Sequence, residues 1–107
     1  IVGTMPYPLQ PWFYRIKSYL VRTIFAPNNK TTINVELQAE PWAEIFIADI
    51  PISKQLEHFS LQDFKNNVNF AKKVGTPEIY LWGVEWWYWI ANQGHPEYLQ
   101  YAKSLLK

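Results

Sequence analysis

The sequence predicts an α/β fold of parallel strands joined by crossover helices, and three observations predict it. Strand-like and helix-like segments alternate in the order β-α-β-α-β-α, and a strand whose chain returns through a helix to the next strand is the unit of a parallel sheet. Residues 31–39 alternate apolar Val35, Leu37 and Ala39 against polar Glu36, Gln38 and, just beyond, Glu40, the period-two pattern of a strand. Residues 60–75 carry both ends of a helix: Ser60 with Asp63 three residues on resembles a capping box, Leu61, Phe64, Val68 and Ala71 form one stripe, and Gly75 before Thr76-Pro77 marks the stop.

The remaining elements follow in order. Residues 1–5 are expected to form a short strand or its end, and Pro6, Pro8 and Pro11 a rigid loop. Pro11 suits a first helical turn, where its missing N–H costs nothing. Phe13, Ile16, Leu20 and Ile24 predict a helix over 12–25, ended by Pro27-Asn28-Asn29. The connection over 41–59 is longer than usual, which favours a functional loop. A third strand is expected over 79–86, with Gly83 as a possible bulge and 87–92 as its extension or a loop. Pro96 opens a last helix to Leu106, with Leu99, Ala102 and Leu106 inward.

The chain has 107 residues, enough for one domain, whereas a complete (β/α)₈ barrel needs roughly 250. A strand with helices outside it and a polar barrel mouth inside would show the alternation of 31–40. The expected architecture is therefore a partial (β/α)₈ barrel, its last three β-α units. Residues 1–107 would be the C-terminal portion, with the rest of the barrel N-terminal to this segment. A start at Ile1, without Met or leader, fits a chain that begins inside a fold.

Composition narrows the partners. Ten basic and nine acidic residues give a net charge of +1, which argues against binding nucleic acid or an anionic membrane. There are no cysteines, so disulfides, thiolate metal sites and cysteine nucleophiles are excluded. The most apolar run, 79–91, is too short to span a membrane and contains Glu85. His58 and His95 stand apart from any metal-ligand spacing, and there is no phosphate-binding loop or nucleophile elbow. No metal or cofactor is expected, and the compartment stays open. Aromatic residues make up 18% of the chain, six of them Trp. Indoles at that density serve either as packing or as flat faces for sugar rings.

Two carboxylates stand out. Glu40 ends a strand before Pro41-Trp42, and at the C-terminal rim of a parallel barrel it would project into the active site. Glycoside cleavage needs two carboxyl groups, one ionised and one protonated. Glu85 lies within Trp82-Gly83-Val84-Glu85-Trp86-Trp87-Tyr88-Trp89, where desolvation or a specific partner must tune it. Strict alternation from Ile79 points Glu85 outward, so an inward role requires a bulge at Gly83. Trp82, Trp86, Trp87 and Trp89 cannot all face one way, so one or two would serve a sugar and the rest would pack. The structural alternatives are a salt-bridging Glu at a loop start for Glu40 and a backbone-bonded Glu for Glu85.

Glu36-Leu37-Gln38-Ala39-Glu40-Pro41-Trp42 and Tyr80-Leu81-Trp82-Gly83-Val84-Glu85-Trp86-Trp87-Tyr88-Trp89 together resemble the seventh and eighth strands of cellulase-like, clan A glycoside hydrolases from an uncharacterised bacterial group. The resemblance implies a retaining glycosidase acting on a β-linked oligo- or polysaccharide. It implies Glu40 as nucleophile and an aromatic, Trp82 or Trp86, lining the sugar site, and Glu36 and Gln38 on the same strand would then tune or orient Glu40 by hydrogen bonds. Trp42, Trp82, Glu85 and Trp86 would hold the substrate. The family's acid/base follows a fourth strand that is not in this chain, so the isolated chain is expected to be inactive. The alternatives are a non-catalytic carbohydrate-binding or scaffold protein on a degenerate barrel, and a self-contained α/β domain whose aromatics only pack.

Overall fold

The protein is described from a computed structural model, which covers residues 10–25 and 33–106. The strand expected over 1–5, the loop at Pro6 and Pro8, the Pro27-Asn28-Asn29 stop, the first residues of the 31–39 strand, the facing of Val35 and the closing residue Lys107 lie outside the described residues.

The described elements are α1 (Pro11–Leu20), continued by a π-helical turn at Val21–Phe25, then β1 (Asn34–Gln38) and a 3₁₀ turn at Ile47–Asp49. They continue with α2 (Ile52–His58), α3 (Leu61–Val74), β2 (Ile79–Trp82), α4 (Val84–Asn92) and α5 (Glu97–Leu105). This overturns the expected fold class. Among the described residues the protein is mainly helical, with one two-stranded parallel sheet, β1 beside β2, in place of three barrel units. Two helices follow each strand rather than one.

Two local causes account for the difference. Residues 84–92 contain few polar residues, so no alternation separates helix from strand there. The chain nevertheless turns helical one residue past Gly83, and Trp86, Trp87 and Ile90 form the buried stripe. The third strand is therefore four residues long and ends at Trp82. In the 41–59 connection, Ile52, Gln55, Leu56 and Phe59 recur at helical spacing, but the polar Gln55 sits in the stripe and hides it.

Gln55 is fully buried. Its Nε2 donates to the carbonyls of Ile47 (2.9 Å) and Ile50 (2.8 Å), and its Oε1 accepts from Trp86 Nε1 at 2.9 Å. One side chain thus ties the 3₁₀ turn and α2 to α4, and it meets the demand that buried polar groups be hydrogen-bonded.

The expected ends of α3 are present. The Ser60 backbone N–H donates to Asp63 Oδ2 at 2.8 Å, the Asp63 N–H donates to Ser60 Oγ at 3.1 Å, and Gly75 stands at φ 82°. The two strands pair in parallel with Leu37 beside Leu81 and Gln38 beside Trp82, and one extra β1 residue is accommodated between Asn34 and Leu37.

The core gathers where α3, α4 and α5 cover the sheet. Phe59, Phe64, Trp86 and Trp87 are buried there with Tyr98. Phe64 stacks on Trp87 with centroids 5.6 Å apart, and Trp86 meets Tyr98 edge-on at 4.8 Å, geometries that aromatic quadrupoles favour. Tyr98 Oη donates to the Phe59 carbonyl at 2.7 Å. Burial first, then the charges of Glu97 and Asp63, push its phenol up to about 12. By contrast, α1 buries no residue, and Trp12, Ile16, Tyr19 and Ile24 all stay exposed.

Gln55→Ala strips partners from an indole N–H and two carbonyls, so it should cost about 3 kcal/mol. Ser60→Ala should cost about 1 kcal/mol. Urea unfolding of both variants against the parent measures the difference, and the order of the two losses is the checked outcome.

Candidate functional site

Both strands end at the same edge of the sheet because they run parallel, and that edge brings Glu40, Trp82 and Glu85 together. The Ala39 N–H donates to the Trp82 carbonyl at 3.0 Å, and the Ala39 carbonyl accepts from Trp87 Nε1 at 2.7 Å. Asn67 Nδ2 on α3 donates to the Gln38 carbonyl at 3.0 Å. The end of β1 is thereby pinned by β2, α3 and α4 together, and Glu40 leaves from that pinned point.

Gly83 makes the junction possible. It stands at φ 143° before the first turn of α4, and a Cβ there would lie 2.9 Å from the Ala39 oxygen and 3.0 Å from Glu40 Cβ. Only glycine accepts both that φ and that approach. The expected bulge at Gly83 is thus a helix entry instead, and it sets Glu85 in the first turn of α4, where the N-terminal dipole favours an anion.

The environment of Glu40 follows from this packing. The residue is half-buried, and its carboxyl is held above its ordinary value of 4.5 by burial first and by the negative charge of Glu85 second. The Trp82 indole N–H donates to it and pulls partly the other way. Glu40, Glu85 and Trp82 therefore form one interacting group, with Trp82 exposed at the rim.

The other expected site residues are distributed differently. Gln38 is buried, and its Nε2 donates to the Glu40 carbonyl at 2.9 Å, so it shapes the backbone at Glu40. Glu36 is exposed while Leu37, Gln38 and Ala39 are buried in a row. The irregularity between Asn34 and Leu37 breaks the shared polar face expected for Glu36, Gln38 and Glu40. Trp42 is partly exposed, at 39%. Trp86 does not reach the rim: it is buried against Phe59 and Tyr98 and bonded to Gln55.

Asn67 and Gln55, which hold the site from behind, are not conspicuous in the sequence. Asn67 shares a helical stripe with Phe64, Val68 and Ala71, and a polar residue inside an apolar stripe is the signal that would have found it. His95 Nδ1 lies 3.4 Å from Glu97. Among the described residues no three His, Cys, Asp or Glu gather as a metal site, and no helix is long and apolar enough to cross a membrane.

No protein-family model, curated protein or solved structure matches this chain.

A raised carboxyl has a definite sign in stability. The folded protein holds the Glu40 proton more tightly than the unfolded chain. Its contribution is therefore full below the ordinary value of 4.5 and is lost as pH rises through the raised one. Glu40→Gln should raise the urea midpoint relative to the parent at neutral pH, with the gain shrinking in acid. Gly83→Ala should cost about 2–4 kcal/mol through strain and clash, and an NMR titration of that variant should find the Glu40 carboxyl shifted from its place in the parent.

Proposed function

We propose that this chain carries the reacting carboxylate of a retaining glycoside hydrolase acting on a β-linked oligo- or polysaccharide, with Glu40 as nucleophile. The observation that carries the proposal is the Glu40–Glu85–Trp82 group at the strand ends. A carboxylate made more basic by burial and a like charge is a stronger nucleophile once ionised. The Trp82 N–H favours the ionised form, and that carboxylate attacks the anomeric carbon. Glu85 accepts from sugar hydroxyls, and the exposed faces of Trp82 and Trp42 meet the apolar faces of the rings. The bond from the anomeric carbon to the leaving oxygen breaks as the glycosyl–Glu40 ester forms. A carboxylic acid from outside this chain protonates that oxygen and then deprotonates the water that releases the sugar.

A second reading is carbohydrate binding without cleavage. It is favoured by the openness of the rim, where Trp82 keeps 53% of its surface exposed. A mechanism-based epoxide of the cyclophellitol type separates the two. Peptide mapping after incubation of the full-length protein that supplies the acid should find the label on Glu40, and Glu40→Gln should abolish it. Label on Glu36 or Glu85 removes the assignment of Glu40, and sugar binding without any label supports the second reading.

A further inference from the structure

At the opposite end of the sheet from Glu40, helix α1 and the turn that leaves α3 enclose a groove of about 470 Å³. One wall is Trp12, Arg15, Tyr19 and Arg22, and the other runs from Val74 to Pro77. The first four recur at spacings of three, four and three, so a single helix face alternates ring, guanidinium, ring, guanidinium. A second opening continues from Trp12 and Arg15 toward Lys72 and Lys73.

Among the described residues no acidic side chain lines either cavity. Among the described residues no carboxylate pairs with Arg15 or Arg22. The nearest acid in sequence, Glu78, accepts from Tyr80 Oη at 3.0 Å. Thr76, in the same wall, has a buried Oγ1 without a hydrogen-bond partner. Arg15 also rests over Gly75, where a Cβ would be 3.7 Å from its Nε, and so sits at the negative end of the α3 dipole. Arg22 has no such duty: its Nε only reaches the Ser18 carbonyl one turn back, at 3.4 Å.

We propose that this groove binds an acidic oligosaccharide, one whose rings carry repeated carboxylates. Trp12 and Tyr19 are each 61% exposed and offer flat faces to the C–H side of a pyranose. The guanidinia between them match carboxylates in bidentate geometry. Seven residues of helix separate Arg15 from Arg22 by about 10 Å along the axis, so a chain with recurring charges engages both where a single small anion engages one. Two guanidinia interleaved with two rings suit a short run of ring-borne carboxylates, whereas binding a phosphate backbone rests on many cationic contacts. The groove lies beyond the N-terminal end of β2 and Glu40 beyond the C-terminal end of β1, so the proposal stands whether or not Glu40 acts on sugars.

Titration calorimetry of the protein tests it with three probes: an oligogalacturonate, a neutral cello-oligosaccharide of equal length and a single-stranded oligonucleotide. The acidic sugar should bind and weaken with added salt, while any heat from the neutral one, which reports the Glu40 rim, should be insensitive to salt and to Arg22→Gln. Arg22→Gln, which leaves the Gly75 contact alone, should weaken binding about tenfold. Trp12→Ala should weaken it as well, with circular dichroism confirming that both variants stay folded. Absence of acidic-sugar binding, equal weakening of the neutral sugar by Arg22→Gln, tighter binding of the oligonucleotide or an unchanged Arg22→Gln affinity for the acidic sugar would each overturn the proposal.

Discussion

The carbonyl of Ala39 is the point on which the arrangement depends. It accepts the indole N–H of Trp87 at 2.7 Å, and it lies so close to Gly83 that no side chain fits between them. Those two contacts draw the end of β1 against the start of α4. Without the hydrogen bond, the carbonyl would be left buried and unsatisfied at a cost of roughly 1–3 kcal/mol. Without the glycine, α4 could not start where it does. The burial of Glu40 and its proximity to Glu85, and hence the raised carboxyl, are by-products of this backbone contact.

The core resolves the excess of aromatic residues into two kinds of work. Trp86 and Trp87 are both buried, yet each spends its N–H on a specific acceptor, Gln55 in one case and Ala39 in the other. Indoles that bury a large apolar surface and also satisfy a polar atom add direction to an otherwise non-directional core. Trp82, on the strand between their helix and the loop, keeps its ring outside. The difference between them is one of position relative to Gly83, since the chain changes from strand to helix there.

Some of this was legible in the sequence. The ends of α3 were, because a capping box and an αL glycine are local devices that need no tertiary partner. Glu40 and Glu85 were conspicuous as carboxylates at the edge of apolar runs, but that they lie close enough to interact was not legible, because it depends on the helix entry at Gly83. The fold class was not. Alternation in 31–40 suggested a single polar face, but the extra residue before Leu37 broke it, and Leu37, Gln38 and Ala39 are buried together. The apolar run after Gly83 held no polar punctuation to distinguish a 3.6 period from a period of two. The α2 helix was hidden by Gln55, whose polarity only makes sense once Ile47, Ile50 and Trp86 are seen around it.

Parallel pairing of β1 with β2 has a kinetic consequence. The partners Asn34 and Ile79 are distant in sequence, so the ladder can form only after a long stretch of chain has been gathered up, and that closure entropy precedes any reward from the ladder. The intervening α3, closed at both ends by its own residues, shortens the distance the chain must search. Order in the sheet therefore comes late and leans on a helix that can form early, which ties the timing of the Glu40 edge to how well Ser60 and Gly75 bracket their segment.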